Sequence, residues 1–295
     1  MPSNPIQSIL TYSKGGFMKD LTHFTLSNGV KIPSVGFGTF QIAEGKPVID
    51  AVSQALELGY RHIDTASIYG NEAGVGQAIR ESGLPSSQIF ITSKLWNDRQ
   101  KGEDPLRAFD ETLDKLGIEV LDLYLIHWPT IHSANAWTQL NTLYEQGRVR
   151  AIGVSNFEVS HLQDLIPPGT MTPLVNQVEL HPLFSQTELQ KYCSEREMVL
   201  EAWSPLMRGK LQDFPLLSEL AHQYGKDVGQ IVLRWDVQRG IITLPKSVTP
   251  SRIRSNLELF DFELSEKDMK RIDSLNRGER LFFSPQRMYE DSMKT

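Results

Sequence analysis

Four ionisable side chains stand where apolar runs of this 295-residue chain stop. Asp64 closes YRHID, Lys94 follows IFITS, His127 closes LDLYLIH, and Tyr69 lies a short turn beyond Asp64. Such a set can polarise and protonate a carbonyl. Tyrosine is a poor acid near neutral pH because its unperturbed pKa is about 10. A nearby ammonium stabilises the phenolate and lowers that value, and a buried lysine needs a carboxylate to hold its charge. Asp64, Lys94 and Tyr69 supply that chain, and His127 is then placed to orient a substrate oxygen. Taken singly, each residue has a plainer explanation as a cap, a packed ring, a solvated amine or a rim imidazole. Their placement on three successive runs favours joint action.

Other chemistries lack their residues. No metal site is expected, because there is no HExxH and no Cys/His ladder. The single cysteine, Cys193, sits in LQKYCSER without a partner, and there is no GxSxG elbow, so nucleophilic catalysis has no support. A hydrolase with paired carboxylates would need a second acid near Asp64, and only Glu179 and Glu201 offer one.

The elements that must position these groups are legible as a regular alternation. Eight short apolar runs alternate with helical stretches: Val35 to Phe40, Tyr60 to Thr65, Ile89 to Leu95, Leu121 to His127, Arg150 to Ser155, Leu174 to Glu179, Val199 to Ser204 and Ile241 to Pro245. Near-continuous apolar runs mark strands buried on both faces, and a regular βα period implies a parallel sheet. Between them, Leu106, Phe109, Leu113 and Leu116 recur at helical spacing. The long last gap holds two further helical stretches, Asp213 to Tyr224 and Val228 to Val237. Eight units predict an α/β fold, a (β/α)8 TIM barrel, whose reactive groups lie at the C-terminal strand ends. Asn28-Gly29 joins two short alternating runs into an N-terminal β-hairpin at the barrel bottom. Gly36-Phe-Gly38 lacks the rest of a dinucleotide fingerprint, and no P-loop is present.

Residues 1–20 are expected to be a flexible tail, with Met18 an alternative start, and residues 21–275 the barrel. Residues 276–295 show neither helical nor strand period and are expected to form a C-terminal loop near the active-site mouth. Lys+Arg 30 against Asp+Glu 36 gives a net charge of −6, which argues against nucleic acid or an anionic membrane surface as partner. Any anionic ligand must be met locally. No apolar run approaches a membrane span, and the single cysteine fits a reducing compartment, so a cytoplasmic monomer is expected.

Seven blocks follow in order: GYRHIDTASIYGNEAGVG, ITSKLW, LDLYLIHWP, VRAIGVSNF, VNQVELHP, EAWSPL and LPKSVTPSRIRSN. Together they resemble the signature blocks of the aldo-keto reductases, in particular the bacterial diketogluconate and aldehyde reductase type. The resemblance spans about Gly59 to Asn256, with flanking similarity from about His23 to Leu275. It implies a barrel that binds NADPH without a Rossmann domain and reduces a small aldehyde or ketone by direct hydride transfer. It makes Tyr69 the general acid, Lys94 and Asp64 the pair that tunes it, and His127 the orienting group.

The same resemblance assigns the NADPH contacts. Ser155, Asn156 and Gln177 would bond the nicotinamide carboxamide, with Gly38, Thr39 and Asp64 beside it, and Trp203 would stack on the ring. Ser204 and Leu206 would approach the pyrophosphate. Lys246, Ser247, Thr249 and Arg252 would take the 2′-phosphate, with Asn256 near the adenine. Phe40 stands where many relatives carry Trp, and with Trp96, Trp128 and His127 it would line the substrate pocket. The short TIHSANAW stretch implies an open pocket. Met207, often Gly in relatives, would crowd the phosphate loop, and Ser255 replaces a residue often acidic. An NADPH-binding sensor with little turnover is the alternative activity.

Overall fold

Each apolar run becomes a strand of one parallel sheet. The computed structural model describes residues 22–166 and 171–294, so the expected N-terminal tail lies outside the described residues. The hairpin strands are β1 (His23–Thr25) and β2 (Lys31–Pro33); the sheet comprises β3 (Phe37–Gly38), β4 (His62–Asp64), β5 (Phe90–Leu95), β6 (Leu121–Ile126), β7 (Val149–Ser155), β8 (Val175–Glu179), β9 (Val199–Trp203) and β10 (Ile242–Leu244). The eight sheet strands pair in sequence order. The Val35–Thr243 bridge, with Gly36 N–H on Thr243 O and Thr243 N–H on Ser34 O, closes them into a ring. This is the expected (β/α)8 barrel. Gly36 is required at the seam, because a Cβ there would lie 2.5 Å from Leu244 Cδ2 and 2.7 Å from His62 Nδ1.

The helices are α1 (Lys46–Glu57), α2 (Glu72–Glu81), α3 (Asp104–Leu116), α4 (Ser133–Glu145), α5 (Val159–Leu165), α6 (Thr187–Ser194), α7 (Pro215–Tyr224), α8 (Val228–Gln238), α9 (Pro250–Ser255), α10 (Glu266–Asp273) and α11 (Pro285–Ser292). α3 shows why the periodicity is informative: Phe109, Leu113 and Leu116 are buried against the sheet, and Gly117 ends the helix at a φ of 67°. In the long last gap, α8 is capped by Asp227, whose Oδ1 accepts the Gln230 N–H while Gln230 Oε1 accepts the Asp227 N–H. The hairpin plugs the bottom of the barrel with Phe24, Leu26 and Ile32, and Asn28 Nδ2 donates to the carbonyl of Arg150 at the start of β7.

The C-terminal segment corrects one expectation. It is not a loop throughout, since Pro285–Ser292 forms α11. Pro285 supplies the preset φ of a first turn, and only it is buried, so no apolar stripe betrays the helix. The stretch before α11 does lie at the mouth. Among the described residues no helix is long and apolar enough to cross a membrane.

Candidate active site

Three adjacent strands deliver the four groups to one end of the barrel. Asp64 ends β4, Lys94 lies near the end of β5, His127 follows β6, and Tyr69 sits in the turn before α2. Lys94 is fully buried; its Nζ donates to Asp64 Oδ1 at 2.7 Å, to Asp64 Oδ2 at 2.8 Å and to the Thr65 carbonyl at 2.8 Å. Burial would lower its pKa, but Asp64, and behind it Tyr69 and Glu201, more than offset this and hold the ammonium above its usual value. Lys94 therefore stays charged. Its Nζ lies 5.2 Å from the Tyr69 ring centroid.

Tyr69 differs from the simplest expectation. Lys94 does pull the phenol pKa down, but removal from water dominates and Asp64 adds to it, so the net shift is upward. The hydroxyl keeps its proton, which a general acid requires. The His127 ring packs edge-on against Tyr69 at 5.7 Å and Trp96 at 5.1 Å. Burial, then Lys94, drives the imidazole well below its ordinary pKa, so it is a neutral hydrogen-bonding group at pH 7.

Ser155, Asn156 and Gln177 meet beside this set, the first two at the end of β7 and Gln177 in the middle of β8. Ser155 Oγ donates to the Gln177 carbonyl, and Asn156 Nδ2 donates to the His127 carbonyl and to Ser155 Oγ. Asn156 adopts a left-handed φ of 65° and accepts Trp203 Nε1–H at 2.8 Å, which fixes the indole. Gln177 turns inward: its Nε2 donates to Asp64 Oδ2 at 2.8 Å and to Glu201 Oε2 at 2.9 Å.

One cleft of about 880 Å³ joins these groups to a basic end. It is lined by Gly38, Asp64, Tyr69, His127, Ser155, Asn156, Gln177, Trp203, Ser204 and Leu206, and further along by Lys246, Ser247, Arg252, Ser255 and Asn256. Lys246 and Arg252 are exposed and make no ion pair among the described residues, so two cations are left for an anionic ligand. Two expected contacts do not line the cleft. Thr39 is fully buried with its hydroxyl on the Asp64 carbonyl, and Thr249 serves the turn before α9, its N–H donating to Ser247 Oγ. Met207 also departs from expectation: its side chain is buried in the core, at a left-handed φ of 49°, and does not crowd the cleft.

The aromatic wall is wider than the sequence suggests. Phe40 packs 5.0 Å from Tyr69, and Trp128, held by Gln100 Nε2 on its carbonyl, stacks with Phe283 at 5.2 Å. Phe282 stands edge-on to Trp203 at 4.9 Å, and Arg208 spans from Phe282 to Gln41 Oε1. The adjacent phenylalanines in an otherwise aperiodic tail are the only sequence signal for Phe282 and Phe283, and Arg208 and Gln41 carry none. Of the two candidate second acids, neither Glu179 nor Glu201 lines the cleft. Among the described residues no cluster of three metal-ligating side chains exists.

Residues 34–277 match the model of the aldo/keto reductase family. The chain is 52% identical over 262 residues to the uncharacterized oxidoreductase YtbE of Bacillus subtilis, covering 87% of this chain and 94% of that protein. It is 48% identical over 261 residues to the glyoxal reductase of the same organism, covering 88% and 95%. A solved structure of a Gox0644 mutant in complex with NADPH superposes with a TM-score of 0.84 at 37% identity, over 90% of this chain and 97% of the other.

Proposed function

The chain belongs to the aldo/keto reductase family, and from that premise we propose that it reduces a small aldehyde or ketone to the alcohol with NADPH, Tyr69 acting as general acid. The observation that carries this reading is the buried chain of Asp64, Lys94 and Tyr69 opening into a cleft whose far end presents Lys246 and Arg252. The cleft fits the cofactor in kind: two unpaired cations suit a phosphate, and polar groups from Ser155 to Gln177 suit an amide. When bound, NADPH supplies the hydride.

The protein's own groups do the rest. His127, neutral, hydrogen-bonds the carbonyl oxygen and sets it near the Tyr69 hydroxyl. Tyr69 holds the proton that this oxygen needs as it gains negative charge, and Lys94 stabilises the phenolate left behind. Asp64 keeps Lys94 charged at no cost in reorganisation. Phe40, Trp96 and Trp128 exclude water from the reacting carbon, which strengthens these interactions.

For the substrate we propose a short aldehyde or 1,2-dicarbonyl, supported by the glyoxal reductase relative and by a pocket walled largely by aromatic rings. The test is NADPH consumption with glyoxal, methylglyoxal and simple aldehydes. Saturable turnover is expected; tight NADPH binding with no turnover on any of them would instead identify a sensor.

A further inference from the structure

Glu201 is a carboxyl with no evident duty, wholly buried inside the barrel below the cleft. It is the direct cross-strand partner of Gln177, and its Oε2 accepts from Gln177 Nε2 at 2.9 Å. The same nitrogen donates to Asp64 Oδ2, which also accepts from Lys94. Both N–H groups of one amide are thus held by two carboxyl groups. An amide oxygen in that place would face two acceptors, so the amide has one admissible orientation. Gln177 lines the cleft whereas Glu201 does not, and the side-chain oxygen Oε1 of Gln177 is left as the acceptor for a ligand.

We propose that Glu201 is a positioning residue of the reduction site, which shares the Gln177 amide with Asp64 and so fixes the acceptor that Gln177 presents to the nicotinamide end of the cofactor. The inference rests on the reading of the cleft as an NADPH site. Its surroundings make the acid responsive to pH. The titratable groups turned toward it are His62 and Asp64 from β4, Lys94 from β5 and, beyond Lys94, Tyr69; β10 and β3 contain none. His62 Nε2 is 3.9 Å from Glu201 Oε1, and burial keeps that imidazole neutral, with its pKa lowered to about 4. Oε1 itself has no partner. Burial first, then the Asp64 carboxylate, pushes the Glu201 carboxyl up to about 8, against the pull of Gln177 and Lys94. At pH 7 a proton therefore resides on Glu201, on the oxygen that Gln177 does not use.

Glu201→Leu and Glu201→Gln separate the roles of acceptor and charge. The dissociation constant for NADPH is measured by fluorescence quenching at pH 7 and pH 9, beside kcat and KM with methylglyoxal and the melting temperature of the cofactor-free protein. Glu201→Leu orphans one Gln177 N–H and should weaken NADPH by about 5- to 10-fold, with a smaller loss in kcat. Glu201→Gln keeps an acceptor oxygen and should restore the affinity at pH 7. It should also remove the part of the wild-type pH dependence of NADPH affinity that is centred near pH 8, and the melting temperature of the wild type should fall relative to Glu201→Gln from pH 7 to pH 9. NADPH affinity in Glu201→Leu within twofold of wild type overturns the proposal. If that variant does not fold, identical pH dependences of affinity in wild type and Glu201→Gln overturn it. A wild type that binds NADPH but turns over no carbonyl, with Glu201→Leu still weakened, refutes the activity and leaves the positioning role standing.

Discussion

Asp64, Lys94 and His127 are visible in the sequence because each interrupts or ends an apolar run at a strand terminus, and Tyr69 because it lies in the turn that follows one, where a barrel places its reactive groups. What one-dimensional reading lacked was the pairing across the ring. Gln177 can be placed on a strand from the sequence, but its inward amide and its tie to Glu201 depend on the register of β8 against β9. The sign of the Tyr69 shift was also out of reach, since it depends on how far burial exceeds the pull of Lys94. Two predictions belong at this scale. Arg252→Ala should weaken NADPH by about 10- to 150-fold, the loss of one ionic hydrogen bond, and barely change NADH; titration of both cofactors checks it, and equal losses would refute the phosphate role. Because His127 is held neutral well below its ordinary pKa, kcat should show no inflection between pH 6 and 7. A pH profile tests this.

At the scale of elements, periodicity located every barrel strand and the paired helices α7 and α8, because their burial is one-sided or complete. It failed at α11, which buries little: Ser292 Oγ accepts the Ile131 N–H, the Tyr289 ring lies 5.5 Å from His161, and the segment before the helix adds polar contacts. Arg280 pairs with Glu158 at 2.5 Å, and the Leu281 N–H donates to Glu179 Oε1 at 2.6 Å. These bonds tie the tail to the ends of β7 and β8 and seat Phe282 and Phe283 on Trp203 and Trp128. Glu179 is therefore an anchor for the mouth rather than a second catalytic acid. Arg280→Ala should loosen the aromatic wall and raise KM for methylglyoxal by about 3- to 10-fold, with kcat less affected, as removing one or two charge-assisted contacts would. Steady-state kinetics read both constants.

Across the whole molecule, the net charge of −6 gains a local counterpart in Lys246 and Arg252 at one end of a single cleft. Buried carboxyl groups, one inside the barrel and one on α8 behind it, carry another cost. Glu201 and Asp236 are both pushed up to about 8, chiefly by burial, so the folded chain keeps protons that the unfolded chain has lost. Their contribution to stability is complete below about pH 4 and is lost as pH rises to 8. His62, lowered to about 4, works oppositely: its contribution is present above about pH 6.5 and lost as pH falls. The two effects oppose each other between pH 4.5 and 6.5, and only the loss persists above. The melting temperature should thus fall by several degrees from pH 6.5 to 8, and Glu201→Gln combined with Asp236→Asn should flatten that fall; calorimetry across the range decides.

The measurement that bears most directly on the account is turnover of NADPH with saturating methylglyoxal by Tyr69→Phe, made beside the variant's NADPH dissociation constant. The substitution removes one hydroxyl and leaves the ring packed against His127 and Phe40. The expected result is a loss of about 10²- to 10⁴-fold in kcat with unchanged NADPH affinity. A variant that retains more than a tenth of wild-type turnover would contradict it.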